Sequence, residues 1–185
     1  NTCANPVNVT LPFTRTGETT NCFGDDYSNA SVASCGSQYE SDNDKVYKVL
    51  IGAAGCVNIT LSITSSTAIG FQVYNGCPDV SGSTCVFNTT TGTIGGFLTA
   101  DINIPSAGFY YVIVDSWSVP GDFVDYDITI STPGGNTAND PCSGAIALTL
   151  LVSAAGDNTC TNAMCEPVAP ACWTTGVMNT VWYRV

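Results

Sequence analysis

The sequence predicts an all-β chain: an antiparallel β-sandwich of jelly-roll-like form, followed by the first part of a second, similar sandwich. Three observations carry this. Short runs rich in β-branched and aromatic residues alternate with polar ones at a period of two. Good helix formers are sparse, with two Lys, two Met and three Glu, and no long amphipathic helical periodicity exists. Turn-forming Gly, Asn, Ser and Thr separate the runs throughout.

The elements follow in order. Val7 to Phe13 alternates as Val-Asn-Val-Thr-Leu-Pro-Phe and reads as the first strand. Lys45 to Ile51 is the next. Cys56 to Ile63 sets Val57, Ile59, Leu61 and Ile63 against Asn58, Thr60 and Ser62, so one face is buried and the other wet. Gly70 to Tyr74 is a short apolar run that Asn75-Gly76 terminates. Phe97 to Ile104, Gly108 to Asp115 and Tyr126 to Ser131 complete the set. Tyr110 and Tyr111 point to opposite faces of a regular strand, so one of them belongs to the core. This spacing fits a sandwich over residues 1–132. Residues 133–141, Pro-Gly-Gly-Asn-Thr-Ala-Asn-Asp-Pro, are poor in apolar side chains and read as a linker.

An internal repeat begins after the linker, over residues 142–185. Cys3 matches Cys142, Cys22 matches Cys160 and Cys35 matches Cys172, at offsets of 139, 138 and 137. Val46-Tyr47-Lys48-Val49 matches Trp182-Tyr183-Arg184-Val185 at 136. A slowly drifting offset is what two copies of one module with small deletions produce. The second copy holds the counterpart of residues 1–49 only, so it is expected to need strands from elsewhere. Those strands come from further chain or from another subunit, and the open edge at Val181, Trp182, Tyr183 and Val185 is the expected subunit interface. Asn1 in place of a methionine marks the sequence as a processed or excised piece.

Composition excludes several activities. The chain has 15 acidic residues, 4 basic ones and no histidine, a formal net charge of -11. Without histidine there is no Ser-His-Asp triad, no Cys-His dyad and no His-ligated zinc. The charge argues against nucleic acid as a partner. No run of 18 apolar residues exists to span a membrane. The 10 cysteines lack the paired short spacings of a zinc site, which leaves disulfides in a secreted or cell-surface protein. Four N-x-S/T triplets, at Asn8, Asn29, Asn58 and Asn88, fit that location and are candidate glycosylation sites.

Several phrases together resemble the bacterial pre-peptidase C-terminal-like domain. They are Asp26-Tyr27-Ser28 followed by Ser34-Cys35-Gly36, then Asp44-Lys45-Val46-Tyr47 and Val73-Tyr74-Asn75-Gly76-Cys77-Pro78. Tyr110 to Trp117 continues the order, and Asn139 to Ile146 is similar to the opening of another such domain. The resemblance implies a compact β-sandwich of secreted bacterial proteins, often in tandem, non-catalytic and in some members calcium-binding. Thr180 stands where Asp44 does in the first copy, so the second copy departs from the pattern.

Calcium takes six to eight oxygen ligands. Asp25 and Asp26 share a turn, Asp42-Asn43-Asp44 gives consecutive oxygens before a strand, and Asp115 ends another. These five are the candidate metal ligands; the competing reading is solvated loop carboxylates. Nothing places two carboxylates across a cleft, so paired-carboxylate hydrolysis has no support. Trp117 is the candidate binding residue for a sugar ring or a partner, against the commoner use of such a Trp to cover the sandwich end. Cys77 and Cys85 bracket a short turn-rich loop and are expected to pair. The resemblance pairs Cys3 with Cys35 and so Cys142 with Cys172, leaving Cys22 with Cys56 and Cys160 with Cys165, among 15 connectivities open to the first six cysteines.

The expected function is a non-catalytic structural module of an extracellular bacterial fibre or adhesive surface protein. It is disulfide-stabilised, calcium-binding and self-assembling through its incomplete second sandwich. Its partners are copies of itself or neighbouring modules in a polymer, and glycans. The alternative is an accessory substrate-targeting module of a secreted hydrolase.

Overall fold

A computed structural model describes residues 2–28, 35, 42–65, 68–91, 95–117, 123–132, 146–149 and 183–184. The chain forms two compact units, Asn1–Thr132 and Pro133–Val185. The expectations for Asn29, Cys142, Cys160, Cys165, Cys172, Val181, Trp182, Val185 and the linker lie outside the described residues, as does the side chain of Trp117.

The first unit is a sandwich of two sheets. Its strands are β1 (Val7–Val9), β2 (Phe13–Thr19), β3 (Lys45–Ile51), β4 (Gly55–Ile63), β5 (Ala68–Tyr74), β6 (Cys85–Thr91), β7 (Phe97–Ile104), β8 (Gly108–Trp117) and β9 (Asp125–Ser131). One sheet has the order β1-β3-β8-β5-β6 and the other β2-β9-β4-β7. All neighbours are antiparallel except β1 and β3, which run parallel with Val7 beside Tyr47 and Asn8 beside Lys48. The core fills the space between the sheets, from Tyr47, Val49 and Ile51 on one side to Ile59, Leu61, Tyr126, Ile128 and Ile130 on the other. The alternation over Cys56–Ile63 is realised as expected, with Val57, Ile59, Leu61 and Ile63 buried. Of the tyrosine pair, Tyr110 is buried and Tyr111 half-buried.

Two strands go beyond the sequence reading. The run Val7–Phe13 is divided at the cis Leu11-Pro12 bond into β1 and the start of β2. Proline has no N–H to offer a ladder, so it separates the two sheets' edge strands. β2, Phe-Thr-Arg-Thr-Gly-Glu-Thr, is an edge strand exposed along much of its length, and Gly17 at φ +67° accompanies its shift of register against β9. β6, Cys-Val-Phe-Asn-Thr-Thr-Thr, is the opposite edge of the five-stranded sheet.

A second, smaller core lies on the outer face of the five-stranded sheet. There Tyr27 and Cys35 pack on Val46, Tyr74 and Ile113, with Cys3, Cys77, Cys85 and Tyr111 around them. This cover explains why β5 is buried on both faces. It also corrects the disulfide pattern: Cys3 bonds Cys77 and Cys35 bonds Cys85, with Cα–Cα distances of 5.8 and 5.2 Å. The expected pairs Cys77–Cys85 and Cys3–Cys35 are crossed because the N-terminal segment and the residues before β3 both lie against the β5–β6 hairpin. Each brings one cysteine to it. The expected Cys22–Cys56 bond is also overturned: Cys22 is an exposed free thiol, while Cys56 is disulfide-bonded.

In the second unit the described strands are β10 (Ile146–Ala147) and β11 (Tyr183–Arg184), paired in parallel with Ile146 beside Tyr183 and Ala147 beside Arg184.

Candidate metal centre

The β3–β8 ladder places two of the five aspartates face to face. Lys45 is opposite Val114, so Asp44, one residue earlier, meets Asp115, one residue later. On its other side Asp115 neighbours Gly70 of β5, which presents no side chain. Asp115 therefore sits on the outer face of the sheet, beyond the small core, buried beside Asp44. The described residues around Asp44 are anchored by backbone and by Tyr27. Asp44 N donates to Gly24 O at 3.1 Å, and the Tyr27 hydroxyl accepts from Cys3 N at 2.6 Å.

Asp42, Asp44 and Asp115 are each fully buried. Asp44 uses one carboxylate oxygen to accept from the backbone N–H groups of Asp26 and Tyr27, both at 2.8 Å. Its second oxygen accepts nothing. Asp115 accepts from Ser116 N at 2.6 Å with one oxygen, and its other oxygen and the Ser116 hydroxyl have no hydrogen-bond partner. Asp25 and Asp26 lie at the exposed rim of the same cluster.

The electrostatics tie the five together. Burial pushes the Asp115 carboxyl up to about 9, with the charges of Asp44, Asp42 and Asp25 adding to it. Burial lifts Asp44 to about 7 against the two N–H bonds, and Asp25 and Asp26 contribute. Asp25 is raised by burial and then by Asp42 and Asp26. All five predicted ligands thus share one field. No basic side chain of the unit relieves it. Lys45 binds Glu18 at 2.9 Å, Lys48 lies 4.3 Å from the Phe109 ring centroid, and Arg15 lies 5.4 Å from that of Phe13.

Buried carboxylates of like charge, with an oxygen of Asp44 and of Asp115 unsatisfied, leave two routes to neutrality. They take up protons, or they take up a cation. The donor set is carboxylate oxygen, which suits a hard ion of the calcium type and not a soft one. The donor type suits such an ion, although among the described residues no three of these carboxylates bring oxygens within 4.8 Å of one another. Ser116 does not join the set: it is in register with Ile69 of the core, on the opposite face of the strand from Asp115.

Two other groups have different roles. Cys3, Cys77 and Asp79 bring potential ligand atoms within 4.8 Å of one another, a spacing the aspartates do not meet as a trio among the described residues. Cys3 and Cys77 are joined to each other, so neither offers a thiolate. The second group is Glu18, which bridges the sheets. Tyr47 donates to Glu18 at 2.7 Å and meets the Tyr126 hydroxyl at 2.8 Å. Burial pushes Glu18 up, but the hydrogen bonds from Lys45 and Tyr47 outweigh it and hold the carboxyl below its ordinary value. This cluster is internally satisfied and serves the fold.

No protein-family model matches the sequence, and no curated protein matches it. Solved structures with partial similarity are found among secreted and surface proteins. The pre-peptidase C-terminal domain of a collagenase from Bacillus anthracis, the domain type that the sequence resembles, is similar at 12% identity with a TM-score of 0.44, covering 69% of this chain and 95% of that one. A surface-associated copper-binding protein of Methylomicrobium album BG8 is similar at 11% identity, with a TM-score of 0.49 and coverages of 70% and 98%. A periplasmic inhibitor of g-type lysozyme from Aeromonas hydrophila is similar at 12%, with a TM-score of 0.43 and coverages of 68% and 94%. The disulfides and the density of cysteine place the chain in an oxidising, extracellular setting.

Proposed function

We propose that this chain is a non-catalytic structural module of an extracellular surface or fibre protein, and that a calcium ion bound among Asp25, Asp26, Asp42, Asp44 and Asp115 locks its loop to its sheet. The observation that carries the reading is the burial of Asp44 and Asp115 side by side on the sheet, each with one oxygen unsatisfied. Asp42 and Asp44 lie just before β3 and Asp115 lies in β8, so an ion shared by them fastens one to the other. When bound, it supplies positive charge and nothing chemical. The aspartates supply oxygen, and Gly70 supplies a position without a side chain.

The repeat supports a tandem arrangement. The parallel pairing of β10 with β11 reproduces that of β1 with β3 in the same register: Ile146 and Ala147 lie 139 residues after Val7 and Asn8, and Tyr183 and Arg184 lie 136 after Tyr47 and Lys48. These are the offsets of the matched cysteine and the matched strand phrase in the sequence. We read residues 142–185, after the 133–141 linker, as opening a second copy of the module, through which copies or neighbouring modules join in series.

Two measurements test this. Thermal melting of the calcium-loaded full chain is expected to drop on chelation and to recover when calcium is restored; an unchanged melt removes the cation site. Electron microscopy of the native material is expected to show filaments whose axial repeat matches the module. Dispersed single particles would remove the fibre role and leave the cation site standing.

A further inference from the structure

The four glycosylation triplets are equal as sequence but not as structure. Asn58 spends its amide N–H groups on Asp101 Oδ1 at 2.8 Å and Thr99 Oγ1 at 3.4 Å, and its carbonyl accepts from Thr60, the hydroxyl of its own triplet, at 3.1 Å. Asn88 donates its amide to the Cys35 carbonyl. Asn29 lies outside the described residues. Asn8 is exposed on β1, the edge strand of the five-stranded sheet, and its side chain makes no hydrogen bond to the described residues.

Beside Asn8 is an uncovered part of the outer sheet face. Asn8 is in register with Lys48, whose ammonium group lies 4.3 Å from the Phe109 ring centroid and 5.7 Å from that of Tyr111. Leu50 and Phe109 are cross-strand partners on the same face and are 60% and 50% exposed. The small core covers the far end of this face but leaves these residues bare. Two strand spacings, about 10 Å, separate β1 from β8. A pyranose ring has one face of C–H groups that lies flat on an aromatic ring, and hydroxyls on its rim that accept from an ammonium group.

We infer that Asn8 carries an N-linked glycan, and that its first sugars lie across Lys48, Leu50 and Phe109. In the modification, Asn8 Nδ2 bonds to the anomeric carbon of a sugar held on a lipid diphosphate. The lipid diphosphate leaves with the bonding electron pair, and one amide proton passes to the transferase. Asn8 has a free amide to give, whereas Asn58 and Asn88 would have to break existing hydrogen bonds. The glycan is the occupant favoured for this face because its attachment point is in register with it. The inference rests on the extracellular setting and not on the cation site.

The test is peptide mapping of the native protein after amidase release in heavy-oxygen water. The expected result is a labelled aspartate at position 8, with positions 58 and 88 unlabelled. An unlabelled position 8, or equal labelling at 58 or 88, overturns the assignment. Hydroxyl-radical footprinting then reads the platform. Asn8→Gln, or Thr10→Ala as a variant that keeps the asparagine, should raise oxidation of Phe109 severalfold. Protection of Phe109 that persists in both variants and grows with protein concentration would identify a second copy of the chain as the occupant, overturning the glycan platform.

Discussion

Replacing Asp115 by Asn separates the charge of the cluster from its shape. In the cation-free chain burial lifts the Asp115 carboxyl to about 9, whereas its unperturbed value is 3.8. A raised acid favours the folded state only while it is protonated in both states. Its contribution is intact below about 4 and is lost as pH rises toward 9. At 1.36 kcal/mol per unit, holding the group neutral costs about 2 kcal/mol at pH 5 and on the order of 5 kcal/mol at pH 8. Asn never ionises, so in chelator Asp115→Asn should be more stable than the parent at pH 8, and the gain should shrink toward pH 5. With calcium present the sign reverses, because the variant has lost a ligand and the parent no longer needs the proton. The assay is urea unfolding followed by intrinsic fluorescence, at both pH values, with calcium or with chelator. A variant that is less stable than the parent at pH 8 by the same amount in both conditions would refute the reasoning. It would mean that Asp115 acts through packing or hydrogen bonding and not as an uncompensated charge.

Four further outcomes follow from the same structure. Cys35→Ser, which opens the Cys35–Cys85 bridge and its 50-residue loop, should cost about 2–4 kcal/mol in urea unfolding. The native chain should be alkylated at Cys22 without reductant, and non-reducing peptide mapping should show Cys22 outside every disulfide. Tyr47→Phe removes the hydroxyl that joins Glu18 to Tyr126 across the sheets and should cost about 1–3 kcal/mol by thermal or urea unfolding. Cys142 and Cys172 match Cys3 and Cys35, whose partners are the hairpin cysteines Cys77 and Cys85. The same mapping is therefore expected to find Cys142 and Cys172 unbonded to each other.

Much of the fold was legible because its strands obey one local rule. Lys45–Ile51 and Phe97–Ile104 are strands with the bounds that their sequence runs mark, and Val57 to Ile63 alternates in burial as in hydrophobicity. Two of the edge strands were not legible. β2 carries Arg15, Gly17 and Glu18, and β6 ends in three threonines, so neither shows the half-apolar pattern of a strand with a buried face. The aspartates were legible as turn and strand-end carboxylates, but their burial was not. It depends on the β3–β8 ladder bringing Asp44 beside Asp115, a contact that spans some 70 positions of sequence and leaves no local period. The disulfides failed for the same reason. Nearness in sequence favoured Cys77 with Cys85, while the fold brings Cys3 and Cys35 to that hairpin from separations of 74 and 50 residues.

The central claim is that the buried aspartates are neutralised by a divalent cation. Native mass spectrometry of the gel-filtered full chain, beside its Asp44→Asn/Asp115→Asn double variant, tests this most directly. The account predicts a bound calcium in the parent that survives filtration, leaves on chelation and is missing from the variant. A parent that carries no calcium after equilibration with millimolar amounts, or a variant that retains the same ion, would contradict it and leave protonation as the way the cluster is neutralised.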